Sequence, residues 1–244
     1  MGLFDKIKEP VFLKDSTKDE KIVEELEWLS DLANENGKKQ IKQEIKRIKY
    51  GIIGEKKIEF ELKNSHIPMF VIHDLYLEHD GLSAQIDYLV LTKKRFFVIE
   101  CKNFYGNLTI CDNGDFIRTV SYNGTTKKER VYSPITQNRR HLELIRAMRL
   151  NEHNNFITKA LFDKYFYENY RSIVVLANYK GFLNNKYAPK EIAEQVINAD
   201  QLIDYIRKAN SEKGANDLFE KQLEDLAQYF IKCDKENPAA YLEK

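Results

Sequence analysis

Apolar residues recur at helical spacing through the first quarter of the chain. Ile22, Val23, Leu26, Leu29, Leu32 and Ala33 lie mostly three or four apart, with Ser16 and Asp19 placed as a capping start. The pattern predicts a helix that ends near Asn36-Gly37, acidic outside, with Trp28 on its apolar side. Ile41, Ile45, Ile48 and Ile52 then repeat at 4-3-4 spacing and predict a second helix over about 38–63. Gly51 and Gly54 sit inside it at some cost in propensity, which would let another backbone approach closely. Glu55 falls on the same inward stripe, between Ile52 and Ile58, and a charge there needs a partner.

After Pro68 the pattern changes to that of strands. Segments 69–77, 84–92 and 95–102 read as three strands joined by Gly81 and by Lys93-Lys94. Asn113-Gly114 and Asn123-Gly124 punctuate shorter strands near 107–111, 115–122 and 125–132. Pro134 opens a helix to about Leu150, 171–178 is an apolar strand, Asp200 caps a short helix, and 215–232 is a last amphipathic one. Without its ends and the hairpin insertion, the order is helix, three strands, helix, strand (αβββαβ). That order belongs to the α/β (α+β) class, a mixed sheet flanked by helices. Residues 1–37 read as an acidic helical extension, 38–199 as the core domain and 200–244 as a C-terminal helical extension.

Composition narrows the class. The chain has 244 residues, with 14 Phe and 14 Tyr, which excludes a disordered polymer. No apolar run reaches the roughly 18 residues of a membrane span. The start, MGLFDKIKEP, lacks the apolar stretch of a secretory signal. Three Cys, at 101, 111 and 233, form no CxxC pair, so neither a disulfide framework nor a zinc knuckle is expected. The expectation is a cytoplasmic protein with no membrane partner. Net charge is +1 but unevenly spread: −5 over 1–37, +5 over 38–63 and +5 over 120–150. Two basic segments suit a polyanion, and solvated helix faces would account for them equally well.

The chemistry concentrates in GLSAQIDYLVLTKKRFFVIECKNFYG. Alternation along a strand puts Gln85 with Asp87 on one face and Ile86 with Tyr88 on the other, then Glu100 with Lys102 against Ile99 and Cys101. Neighbouring strands can bring Asp87, Glu100 and Lys102 to one patch, and Glu55 could join them from the helix. Carboxylates gathered this way suit a hard divalent cation such as Mg²⁺. Such a cation polarises phosphoryl oxygens and lowers the pKa of bound water. Lys102 could orient a water or offset phosphate charge. From spacing alone, an internal salt bridge of Lys102 with the two acids is the reading that comes first.

These pieces resemble the nuclease-related (NERD) domain family of the PD-(D/E)XK superfamily. The match runs through Gly54-Glu55, Gln85-Ile86-Asp87, Val98-Ile99-Glu100-Cys101-Lys102-Asn103 with Gly106, and Pro134-x-x-Gln137-Asn138-x-x-His141. The resemblance implies a restriction-endonuclease-like core and Mg²⁺- or Mn²⁺-dependent cleavage of nucleic acid, DNA first. It implies Glu55, Asp87, Glu100 and the Cys101 carbonyl as metal ligands, Lys102 as the water-orienting residue and Gln137 facing substrate. Gln85, His141 and Arg140 join the candidates for substrate contact. The first acid follows Ile86 where the superfamily more often has Pro, and Cys101 fills the variable slot of ExK as a small core residue. A setting in bacterial defence or DNA processing is also implied. Two other readings stay open: a catalytically silent module of the same fold that binds nucleic acid or protein, and an adaptor working through the terminal helices, with a partner protein or a second copy.

Overall fold

The structure is a computed structural model that describes residues 7–16, 18–178, 180–214 and 217–236. The leader reading at residues 1–6 and the start of the last helix at 215 lie outside the described residues. The chain runs β1 (Pro10–Lys14), α1 (Lys18–Leu32), α2 (Glu35–Lys63), β2 (Met69–His79), β3 (Leu82–Thr92), β4 (Phe96–Lys102), β5 (Asn107–Ile110), β6 (Phe116–Tyr122), β7 (Thr125–Val131) and α3 (Pro134–Asn151). It continues with α4 (Phe156–Asn169), β8 (Tyr170–Leu176), β9 (Leu183–Asn184), α5 (Lys190–Ala193), β10 (Val196–Asn198), α6 (Leu202–Ser211) and α7 (Glu220–Cys233).

Six strands form the main sheet in the order β1-β2-β3-β4-β8-β10. β2, β3 and β4 are an antiparallel meander, and β8 joins β4 in parallel after the crossover through α3 and α4. The expected αβββαβ order therefore stands, in a mixed α/β fold of the restriction-endonuclease-like kind. A second sheet, β7-β6-β5-β9, is built on the predicted hairpin insertion. Asn123 and Gly124 make its tight turn with both φ positive, as a two-residue hairpin requires.

One core lies between the sheet and α3, α4 and α7, and holds Phe70, Ile72, Leu89, Leu91, Val98, Ile145 and Phe230. The other lies under α2 and α6, and holds Ile58, Leu62, Val71, Tyr88, Val90, Phe97, Ile99 and Ile206. Helices α6 and α7 thus contribute to the two main cores, and β1 extends the sheet by pairing with β2.

Several local expectations change. The break between the first two helices falls earlier than Asn36-Gly37, because Asn34 caps α2 by accepting from the Gly37 N–H. Trp28, Leu29 and Leu32 are exposed, since α1 packs chiefly on α2 and the seam of Ile22, Val23 and Ile48 is narrower than the apolar stripe. Asp200 lies inside a short 3-10 turn that Asn198 precedes, so it is not the cap. Gly51 faces open space, whereas a Cβ on Gly54 would sit 2.8 Å from the Asn103 Cβ and 3.2 Å from the Cys101 sulfur. Only Gly54 is a point of close approach.

The most consequential change concerns strand faces. Ile86 and Tyr88, expected on one face, belong to opposite cores. Along β2 the first core takes Phe70 and Ile72, then Leu75 and Leu77; along β3 it takes Leu91 and Leu89, then Ile86 and Ala84. Both strands shift phase by one residue at facing positions, Asp74 and Asp87. Asp74 has φ of 56°, a left-handed conformation that is uncommon outside glycine. Because the two strands shift together, their pairing continues on either side, from His73↔Tyr88 to Leu75↔Ile86.

Candidate active site

The β3–β4 ladder runs from Leu91↔Phe96 to Tyr88↔Ile99 and stops there. At the next position Asp87 replaces the ladder with its side chain, whose Oδ2 accepts the Cys101 N–H at 2.6 Å. The sheet opens at this point into a cleft of about 930 Å³. Glu55, Gln85, Asp87, Glu100, Cys101, Lys102, Gln137 and His141 all line it. Arg140 does not: it is exposed and its guanidinium lies 5.9 Å over the Tyr132 ring. The Cys101 backbone enters the site through its N–H, and its thiol packs against the α2-side core.

Each charge reaches the cleft from a different layer. Glu100 is about 1% exposed and pairs with Lys102 Nζ at 2.5 Å. On its α3 side, His141 Nδ1 stands 3.5 Å from the Glu100 carboxylate, beyond ordinary hydrogen-bond length. Glu55 comes from α2, where His73 Nε2 holds its carboxylate at 3.1 Å and the Tyr88 hydroxyl donates to its carbonyl at 3.0 Å. The His73 ring stacks on Tyr88 with centroids 4.5 Å apart and planes 8° from parallel, and its Nδ1 meets Asp15 at 3.3 Å.

The electrostatics follow from this crowding. Burial first, then the charges of Glu100 and Glu55, push Asp87 well above the usual carboxylate range. Burial works against the Lys102 ammonium, but Glu100 and Asp87 outweigh it and hold its pKa above the ordinary lysine value. For His73 burial is likewise the largest effect and opposes charge, yet the Glu55 and Asp15 contacts raise its pKa overall. His141 goes the other way: burial and then Lys102 push it down to about 4, so it is a neutral imidazole at pH 7.

The donor set suits a hard divalent cation, since three carboxylates converge and Asp87 carries the cost of their mutual repulsion. Among the described residues, no three such side chains yet close on a single point. Glu100 leans to Lys102 and Glu55 to His73, so these side chains would turn from their present partners to hold an ion.

Sequence reasoning passed over His73 and Asp74, and named Asn138 within a matching motif without giving it a role. Asp74 accepts from Ser16 Oγ at 2.6 Å and from the Gln85 amide, which fixes Gln85 at the cleft wall. Asn138 is fully buried and donates from one amide nitrogen to the Val98 and Ile173 carbonyls, at 2.8 and 3.0 Å. It fastens α3 across β4 and β8 and so sets Gln137 and His141 at the cleft. A polar residue within an apolar helical stripe was the available signal for Asn138; for His73 the only signal was a histidine inside a long apolar strand.

Searches of curated proteins and of solved structures return no match. The family model described as "Nuclease-related domain" matches residues 50–177, which contain the cleft's four charged candidates, Glu55, Asp87, Glu100 and Lys102. That match covers more than half of the chain. The chain belongs to the nuclease-related domain (NERD) family, within the PD-(D/E)XK superfamily.

Proposed function

We propose that the protein is a divalent-metal-dependent nuclease that hydrolyses phosphodiester bonds in nucleic acid, with DNA as the first substrate to test and bacterial defence or DNA processing as the setting. The observation that carries this reading is the convergence of Glu55, Asp87, Glu100 and Lys102 on one cleft at the opening of the sheet. Glu55, Asp87 and Glu100, with the Cys101 carbonyl, would hold Mg²⁺ or Mn²⁺. The bound ion would supply Lewis-acid stabilisation of phosphate charge and a more acidic water.

The chain's own residues divide the remaining work. Lys102 keeps its proton at neutral pH and offers an ammonium to the phosphate or the attacking water. His141 and Gln137, one turn apart on α3, face the same cleft. The neutral His141 imidazole can donate or accept a hydrogen bond to phosphate without adding charge. Basic side chains at the mouth provide sequence-independent phosphate affinity, which falls steeply with salt.

The test is incubation with supercoiled plasmid, linear DNA and single-stranded RNA in Mg²⁺, Mn²⁺ or EDTA, beside Lys102→Ala. In the nuclease reading Lys102→Ala folds, binds Mn²⁺ in calorimetry and does not cut. In the salt-bridge reading it leaves buried acids unpaired and loses about 3–5 kcal/mol of stability. A wild-type protein that binds nucleic acid but never cuts would make this a silent module of the same fold.

A further inference from the structure

We infer that the cleft is built for a single strand of nucleic acid, gripped between aromatic side chains on its two walls; this rests on the nuclease reading above. One wall is α2, which contributes Lys46, Arg47 and Tyr50. The other is the segment leading into the insertion sheet and that sheet itself, which contribute Tyr105 and Arg118. Tyr50 and Tyr105 are 40% and 54% exposed. Neither is covered by the apolar cores, and each carries a large ring at the mouth of a charged cleft. Cations interleaved with exposed rings make up the usual surface for single strands, where the cations follow phosphates and the rings stack on bases.

Three features favour a single strand over a duplex. At about 930 Å³ the cleft is the size of a small-molecule pocket, for which roughly 300–1,000 Å³ is typical. It accommodates a short run of nucleotides. The floor is also deep: Glu100 is about 1% exposed, so a phosphate must descend between the walls to reach it. A flexible strand can do this. Finally, duplex bases are already stacked on each other, and rings at a cleft mouth gain nothing from them, whereas a single strand offers its base faces.

The cations are arranged to exchange partners. Arg47 pairs with Glu44 one turn away and Arg118 with Glu129 across the β6–β7 hairpin. These are surface pairs of small net worth, and phosphate can displace either carboxylate. The insertion sheet is held firmly to the site. Gly106 has φ of 93°, and a Cβ there would meet the Thr119 carbonyl oxygen at 2.4 Å, so the entry loop rests directly on β6. The Asn178 amide also donates to the Phe104 carbonyl at 2.6 Å. The second wall is therefore fixed relative to the carboxylates.

The experiment is fluorescence anisotropy in EDTA, with the full chain and labelled oligonucleotides of one sequence as single-stranded DNA, single-stranded RNA and duplex DNA. Single strands are expected to bind at least about tenfold more tightly than duplex, and the DNA and RNA arms identify which backbone is preferred. Tyr50→Ala and Tyr105→Ala should each weaken single-strand binding about 5- to 100-fold, the range for loss of one base–ring stack. Tyr50→Phe and Tyr105→Phe should retain it. Tyr122→Ala, at the far tip of the hairpin, should bind as wild type does. Duplex binding that equals or exceeds single-strand binding, or folded alanine variants with unchanged affinity, would overturn the inference and leave the nuclease reading intact. No binding to any oligonucleotide, with no cleavage in Mn²⁺, would remove both.

Discussion

Arg95 immediately precedes β4 and Glu100 lies within it, and each is about 1% exposed. Their surroundings are opposite in kind. Arg95 is enclosed by the Thr92 turn and by the end of α6, with the Glu212 carboxylate and the Lys213 carbonyl each 3.4 Å from its guanidinium. Two cations share the Glu212 carboxylate there, since Arg171 also reaches it at 2.9 Å, and the surface closes over Arg95. Glu100 shares the inner end of its cleft with Glu55, Asp87 and Lys102, and Asp87 responds with a raised pKa. The first arrangement sets opposite charges against each other within the protein and is closed to solvent at Arg95. The second carries surplus like charge at an opening, which is the electrostatic signature of a site completed from outside.

The sharpest way to break the comparison is to remove charge at the open end. Asp87→Ala should lower plasmid cleavage on the order of 10⁴-fold, as loss of a central catalytic group commonly does. Asp87→Asn should be equally inactive, yet in metal-free buffer at pH 7 it should melt no lower than wild type. The sign follows from the raised pKa. The folded state holds the Asp87 proton more tightly than the unfolded state does, so metal-free stability falls as pH rises from about 4 through the elevated value. An uncharged amide removes that loss. A scanning calorimetry trace in which Asp87→Asn melts well below wild type would show that the acids are balanced after all.

Removing charge at the closed end should do the reverse. Arg95→Ala is expected to cost about 3 kcal/mol in urea unfolding, because it leaves a cavity where a fully buried side chain stood. The specific activity of the folded fraction should not change. A smaller effect tests how Glu55 is aimed. His73→Phe preserves the stack on Tyr88 but loses the 3.1 Å contact to Glu55. Mn²⁺ affinity measured by calorimetry should drop about tenfold, as for other residues that orient a metal-binding side chain, and His73→Gln should recover part of it. The smallest effect belongs far from both ends. Trp28→Ser, on the exposed side of α1, should shift stability by no more than about 0.5 kcal/mol.

The order of the core elements and the cleft's charged residues were legible because they rest on local signals. Strand alternation, the Asn-Gly turns and the Ile stripe of α2 each act over a few residues. What was missed depends on partners distant in sequence. β1 is only five residues long, begins at a proline and becomes a strand by pairing with Met69–Ile72. Helix α4 has little apolar asymmetry along its length, so its period did not stand out; only Phe166 of it is fully buried. Trp28 was misplaced because a stripe on a helix shows which side is apolar, and its neighbours decide how much of that side is covered. Arg140 was named among the substrate contacts, and one residue's rotation from His141 on α3 turns it away from the cleft.

The phase shift shared by Asp74 and Asp87 has a consequence for how such a site could arise and be altered. In a regularly alternating strand, every position is owned either by one core or by the other, and an acid placed there displaces a hydrophobe. Where two strands re-phase together, one facing pair of positions is owned by neither. Such a seam is a vacancy in the fold's pattern, and a charged residue can enter it without loss of apolar packing. A designer seeking to move a charged site along this sheet would have to move the seam, which means shifting β2 and β3 by the same step.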